Sequence, residues 1–333
     1  MNHMLPIPPL LLVVLLAAEV LPPGASQVAD KSRVAADGPT QVGDSAAAST
    51  PRPVTGQELV SQAAQRLLML PGIEASTRQK VNIFGQQLVG SGNYLQLSSG
   101  PRLMLRLDIK LCNAAEDVTA RSSSVQQISD GDTFWIRRSQ GDENTLSRVN
   151  LRRLRDVASQ VGPADVPPPP TLWMALGGLP KLLAALDTHF VFDTPTATVV
   201  GQENLPVWII EGRWRPAILA NLLPDQQAAI QAGQPANLSA LPPHLPHGVT
   251  LMLGRDQVIP LFPYAISYYR DAPSDRTSDA PAARQALVTW ELFDVHFRSD
   301  LDASLFDYRP SDNQQVDERT DEYIARLRTV MKK

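Results

Sequence analysis

Leu103-Met104-Leu105-Arg106-Leu107-Asp108-Ile109-Lys110-Leu111 alternates without a break: every odd position is aliphatic, and Arg106, Asp108 and Lys110 occupy even ones. A period of two puts successive side chains on opposite faces, so this stretch is a strand with one oily and one wet face. Upstream, Tyr94-Leu95-Gln96-Leu97 is its expected partner, joined through Ser98-Ser99-Gly100-Pro101, whose residues suit a turn. Downstream, Ser123 to Ile128 continues the ladder, and Asp130-Gly131-Asp132 supplies a tight reversal into Thr133-Phe134-Trp135-Ile136-Arg137. Connections this short make neighbouring strands antiparallel.

Further out the period changes. Leu59, Val60, Ala63, Ala64, Leu67 and Leu68 recur at three and four residues, which predicts a helix from Gln57 stopped by Pro71 and Gly72. Between Val149 and Phe190 two more helical stripes are expected, Leu151 to Val161 and Leu172 to Leu186, separated by the stiff Pro167 to Pro170 spacer. The second contains Gly177-Gly178-Leu179-Pro180 and reads as two short pieces. Strands return at Thr196 to Glu203, Pro206 to Trp214, Val249 to Arg255, Val258 to Arg270 and Ala286 to Arg298, and Asp317 to Arg328 closes the chain as a charged helix. Helix, meander, helical insertion at about 150–190, more strands and a last helix make an α+β class. The expected form is a strongly curved antiparallel sheet, an unclosed half-barrel covered by helices.

The N-terminal end points to export. Leu10 to Ala18 is an apolar run followed by Pro22-Pro23-Gly24-Ala25-Ser26, and about nine residues at roughly 1.5 Å each cannot span about 30 Å of hydrocarbon. Residues 1–26 therefore read as a secretory signal, with an uncleaved anchor as the alternative. Residues 27–56 are mostly Ala, Ser, Asp, Gly, Pro, Val and Thr without an aromatic, a disordered linker by composition, and 57–333 is left as the folded domain. That implies a periplasmic or envelope location. The net charge of −4 and the lack of a Lys/Arg block give nucleic acid no footprint. A single cysteine, Cys112, forms no internal disulfide and is expected as a buried structural thiol.

With Phe306-Asp307-Tyr308-Arg309-Pro310 closing an apolar strand, the pairs Tyr94-Leu95-Gln96/Leu103 to Leu111 and Ile128-Ser129-Asp130-Gly131-Asp132-Thr133-Phe134-Trp135 resemble the periplasmic outer-membrane lipoprotein carriers, LolA-like and LolB-like proteins. They are most similar to a longer, secreted bacterial branch of that superfamily. The resemblance spans about 57–320 and rests on turn and strand patterns. It implies an open antiparallel barrel around a helical cover, with an apolar interior for acyl chains, and a lipid, an acylated lipoprotein or a membrane-bound partner protein as what is bound.

The residues independently allow an oily hollow. Several strands are apolar on both faces: Val207 and Ile209 alternate with Trp208, Ile210 and Trp214, and Val288, Trp290 and Leu292 alternate with Leu287, Phe293, Val295 and Phe297. One face packs on helices; the other closes on itself, meets a partner or encloses a ligand. Trp135, Trp208, Trp214, Leu251, Tyr264 and Trp290 are the candidate lipid-binding walls, since large rings offer much contact for little lost freedom. The other reading is an interaction module of the envelope with a side-chain-filled barrel and a protein partner. No cofactor, metal or catalytic set is expected. His244 and His247 are three apart, but the surrounding prolines forbid a helix that would aim them together. Asp294 and His296 fall on one side of a strand, yet no Gly-x-Ser-x-Gly supplies a nucleophile. Gly90-Ser91-Gly92-Asn93 reads as a turn, Arg152, Arg153 and Arg155 as a solvated helix face or a headgroup contact, and Asn237-Leu238-Ser239 as a glycosylation pattern without meaning in most bacteria.

Overall fold

The computed structural model describes residues 54–83, 86–99, 102–113, 123–141, 143–161, 176–271 and 284–331. The signal segment, almost all of the linker, the Pro167 to Pro170 spacer and the start of the Leu172 to Leu186 stripe lie outside the described residues.

A first meander consists of β1 (Gly72–Ile83), β2 (Gln86–Ser99), β3 (Arg102–Asn113), β4 (Ser123–Ser129), β5 (Thr133–Gln140) and β6 (Glu143–Asn150). A second set follows: β7 (Phe190–Phe192), β8 (Thr196–Val200), β9 (Leu205–Trp214), β10 (Gly248–Gly254), β11 (Pro263–Asp271), β12 (Arg284–Phe297) and β13 (Asp317–Glu318). They form one 13-stranded sheet in the order β13-β6-β5-β4-β3-β2-β1-β12-β11-β10-β9-β7, with β8 also on β9. Every pairing is antiparallel except the short β13–β6 contact. The β1–β12 pair splices the two meanders, and the ends of the path do not meet. The fold is thus the expected α+β one: a curved, mostly antiparallel, unclosed sheet with helices.

Registers identify the inner face. Leu111, Gly90, Gln79, Trp290, Ile266, Leu251 and Ile210 lie directly opposite one another from β3 to β9, so their side chains share a face. Onto that face pack the helices. The first, α1 (Gly56–Met69), starts with a capping box in which Thr55 and Glu58 satisfy each other's backbone N–H groups, and it buries Leu59, Val60, Ala63, Ala64 and Leu67. Helix α2 (Leu151–Val161) follows β6 directly, and α3 (Gly178–His189) runs back along α1. Gln57 Nε2 donates to the Asp187 carbonyl at 3.1 Å near one end of the pair. Near the other end Gln96 Nε2 donates to the Leu67 carbonyl at 3.4 Å, and Gly178, at φ +61°, leaves so little room that an added Cβ would sit 2.7 Å from both Leu105 Cδ2 and Tyr94 Oη. The α1–α3 pair fills the middle of the hollow. One continuous core joins it to both meanders.

Between β9 and β10 the chain leaves the sheet for α4 (Pro216–Leu222) and α5 (Gln227–Gln231), where Leu219, Leu223, Ile230, Leu241 and Leu245 build a separate small core. Arg270 pins this excursion by donating to the carbonyls of Leu241, Pro242 and Leu245. The last helix, α6 (Thr320–Met331), packs on α2, adding Tyr323, Ile324 and Leu327 to the main core. On the outer face a turn at Ala303–Phe306 packs on β3; Arg106 donates to the Leu305 carbonyl at 3.0 Å and Phe306 is fully buried.

Several expectations need correction. Gly90 to Asn93 is no turn: it is the middle of β2, where an alanine Cβ at Gly92 would fall 1.7 Å from the Asp108 carbonyl oxygen. Glycine there permits a close strand approach. Val258 does not begin a strand. Residues 255–262 form a turn, with Asp256 Oδ1 accepting the Ile259 N–H at 2.5 Å and Leu261 held at φ +62°, and β11 starts at Pro263. Cys112 sits at an even position of β3, half-buried on the outer face, rather than closing the core. Asp294 and His296 do not form a same-side pair, because a bulge opposite Ala75 gives β12 an extra residue and puts Asp294 at φ +49°.

Candidate functional site

The six wall candidates do not share a face. Trp208, Trp214, Leu251, Tyr264 and Trp290 all lie on the inner side. Leu253 stands opposite both Trp208 and Pro263; Leu251 is opposite Ile210 and Ile266; and Trp290 is opposite Ile266 and Gln79. Trp135 is the exception. It stands opposite Ile128 and Arg148, one residue out of phase with the core residues Phe134 and Ile136, so it lies on the outer face, in tilted contact with the Tyr308 ring at 5.4 Å. The period of two in β5 carries this: either Phe134 or Trp135 can be inside, never both.

Three of the five inner candidates are committed to packing. Leu251 is fully buried. Trp290 is 7% exposed, donates its indole N–H to Thr77 Oγ1 and meets Tyr94 edge-on at 6.1 Å. Trp214 bridges the main and small cores, stacks on Phe190 at 4.4 Å and donates to the Pro246 carbonyl at 2.9 Å. Trp208 and Tyr264 remain half-buried and pack against the main core, as Ile259 and Val295 also do. Phe262, itself buried, links Tyr264 to the rim, 5.3 Å from Tyr264 and 6.5 Å from Phe297, which is 37% exposed. The Arg255 guanidinium lies over the Trp208 ring at 4.8 Å, a cation–π contact. Burial, then the nearby Asp256 charge, pushes the Tyr264 hydroxyl up to about 12, so it stays a neutral phenol. Val258, 80% exposed, tips the turn above this wall.

Arg255, Ile259 and Phe262 were not singled out in the sequence as part of a site, whereas Phe297 was read only as one face of a doubly apolar strand. Their signal was present only in the failed alternation between Arg255 and Phe262, which a run containing Val258, Ile259, Leu261 and Phe262 disguises as strand.

The other chemical candidates disperse. His247 is 7% exposed and its Nδ1 accepts the Asp271 N–H at 3.1 Å; burial first, then Arg270, holds its pKa below the ordinary histidine value. His244 is lowered likewise by burial and Arg270. Among the described residues no group of three or more His, Cys, Asp or Glu could hold a metal. The arginine cluster of α2 is used in ion pairs: Arg152 with Asp132 at 2.6 Å, Arg155 with Asp132 at 3.4 Å and Arg153 with Asp321 at 2.9 Å. It clamps the β4–β5 turn and α6. No described helix is long and apolar enough to cross a membrane.

The sheet and its covering helices define the class, an α+β open half-barrel. No protein-family model and no curated protein matches the chain. Among the solved structures that overlap it are two distant ones. A DUF1329 family protein from Desulfovibrio piger is 10% identical over 76% of this chain and 96% of its own, at a TM-score of 0.32. A domain named for outer membrane lipoprotein sorting from Vibrio parahaemolyticus is 9% identical over 76% of this chain and 96% of its own, at a TM-score of 0.29.

Proposed function

We propose that this is an exported, non-enzymatic binding or carrier protein of the bacterial envelope, which holds a lipid or the acyl chain of a lipoprotein against the inner face of its half-barrel. The supporting observation is that Trp208 and Tyr264 are only half-covered and Phe297 is exposed on the inner side of β9–β12, with the buried Phe262 ring between Tyr264 and Phe297. Elsewhere on that face large side chains are packed under α1 and α3; here rings meet the rim. Covering about 200 Å² of apolar ligand surface at roughly 25 cal/mol per Å² yields about 5 kcal/mol before ordering costs, without a charged contact. A wider entry requires the α1–α3 pair to shift, since it occupies the centre of the hollow.

That filled centre favours a second reading, an interaction module whose barrel is closed by its own side chains and whose partner is a protein. Mass spectrometry of organic extracts of the purified protein, with displacement of a fluorescent fatty-acid probe, separates the two. The carrier reading expects co-purified lipid or displaceable probe binding. Absence of both refutes it and leaves the interaction module.

A further inference from the structure

Among the described residues two stretches of the sheet's edges are closed by the chain itself, while β8 and residues 143–146 of β6 are not. At one end β13 lies on β6, with Arg148 paired to Glu318 at 2.7 Å and the Asn150 N–H donated to Thr320 Oγ1 at 2.8 Å. At the other end β7 is covered by helices: the Phe190 N–H donates to the Leu186 carbonyl, and the Phe192 N–H to Gln57 Oε1 at 3.2 Å. Beside it β8, Thr196-Ala197-Thr198-Val199-Val200, pairs only with β9 among the described residues.

Which backbone groups of β8 are free follows from the pairing. The Pro206 carbonyl accepts from Arg255 N on the β10 side, while the Glu211 carbonyl accepts from Asp193 N on the β7 side, so odd residues of β9 turn toward β8. Ile209, Val207 and Leu205 therefore bond Thr196, Thr198 and Val200. The N–H and C=O groups of Ala197 and Val199 then aim away from the sheet, and both residues are exposed, Val199 by 57%. The strand has no charge, no proline and no bulge, the devices by which edges are usually blunted.

We infer that β8 pairs with β8 of a second copy of this chain, antiparallel about a two-fold axis through Thr198, continuing the two sheets into one. The strand is complementary to itself in this register. Ala197 faces Val199 of the other copy and the reverse, so the four outward N–H groups meet four outward C=O groups. Thr198 faces Thr198, and Thr196 faces Val200, uncharged β-branched pairs suited to cross-strand contact. The nearest charges lie beyond the strand: Asp193, held by Arg213 at 2.6 Å, and Glu203 in the 201–204 turn, which this register would set opposite Asp193 of the other copy. A five-residue strand pair falls short of the roughly 1,000 Å² of a stable interface, so the dimer is weak and concentration-dependent. The inference goes beyond the binding reading and stands or falls separately from it.

Sedimentation velocity of the full chain, from about 5 µM to about 500 µM, tests it. A monomer–dimer equilibrium is expected. Thr198→Lys, which sets like charges face to face on the axis, weakens it at least tenfold, as does Thr198→Glu, and an equimolar mixture of the two variants restores a heterodimer. Unchanged circular dichroism and melting show that both fold. A wild type that stays monomeric throughout, variants that dimerise like wild type, or a mixture that remains monomeric would each overturn the inference, including the alternative in which β8 receives a strand of another protein.

Discussion

Replacing Tyr94 with Phe removes one oxygen at the point where the sheet holds both inner helices. Its hydroxyl donates to Gln96 Oε1 at 2.7 Å and accepts the Leu179 N–H at 3.2 Å, all of it buried. Tyr94 and Gln96 are 0% exposed, and burial holds the phenol far above its usual range, so it is a permanent neutral donor and acceptor. No water reaches the two groups left behind. A buried group deprived of its partner costs about 1–3 kcal/mol, so two partners together imply about 2–6 kcal/mol. The ring and its edge-on contact with Trp290 stay, which confines the loss to hydrogen bonding. Tyr308→Phe is the control, because its hydroxyl makes only a long 3.4 Å contact with Gln314 in a half-buried place, and should cost under about 0.5 kcal/mol. Urea unfolding followed by circular dichroism measures both. Equal and small losses for the two variants would refute the idea that Tyr94 anchors α3 to the sheet.

Trp208→Ala is expected to weaken fatty-acid probe binding about tenfold, a loss of about 1.4 kcal/mol, while Trp135→Ala on the outer face lowers stability and leaves probe affinity unchanged in the same titration. Gly92→Ala puts a Cβ 1.7 Å from the Asp108 carbonyl oxygen and should cost about 3 kcal/mol or more, or abolish soluble expression; near-native melting would contradict the close approach of β2 and β3. Asp132 is held below the usual carboxylate range, first by the hydrogen bond from Arg152, against some desolvation, with Arg102 and Arg155 adding attraction. Its contribution is therefore present above the unfolded value of 3.8 and lost as pH falls through the depressed folded value. Denaturation across pH should show the gap between wild type and Asp132→Asn constant near neutrality and closing only below about pH 4.

How much the chain disclosed depends on where its side chains go. The alternation of Leu103 to Leu111 gives β3 directly and the Asp130-Gly131-Asp132 reversal gives the β4–β5 hairpin, and Asp130 Oδ1 does accept the N–H groups of Asp132 and Thr133. Strand β1 passed unnoticed, although it splices the two meanders. Its inward positions include Thr77 and Gln79, and Thr77 is there to accept the Trp290 indole N–H; a polar partner in the core erases the hydrophobic period. The helical excursion of α4 and α5 was also missed, because its small core depends on Leu241 and Leu245, distant in sequence from Leu219 and Ile230. Facing of the site rings was legible only in part. A strand apolar on both faces gives no phase, and Trp135 was counted inside until the register with Ile128 and Arg148 put it outside.

In the proposed carrier an apolar chain lies against Trp208 and Tyr264. Fluorescence quenching by a fatty acid brominated along its chain reads that contact, since bromine quenches only rings it touches. Saturable quenching is predicted in the wild type and in Trp135→Phe, and most of it should vanish in Trp208→Phe. Quenching that is absent, non-saturable, or untouched by Trp208→Phe would contradict the claim.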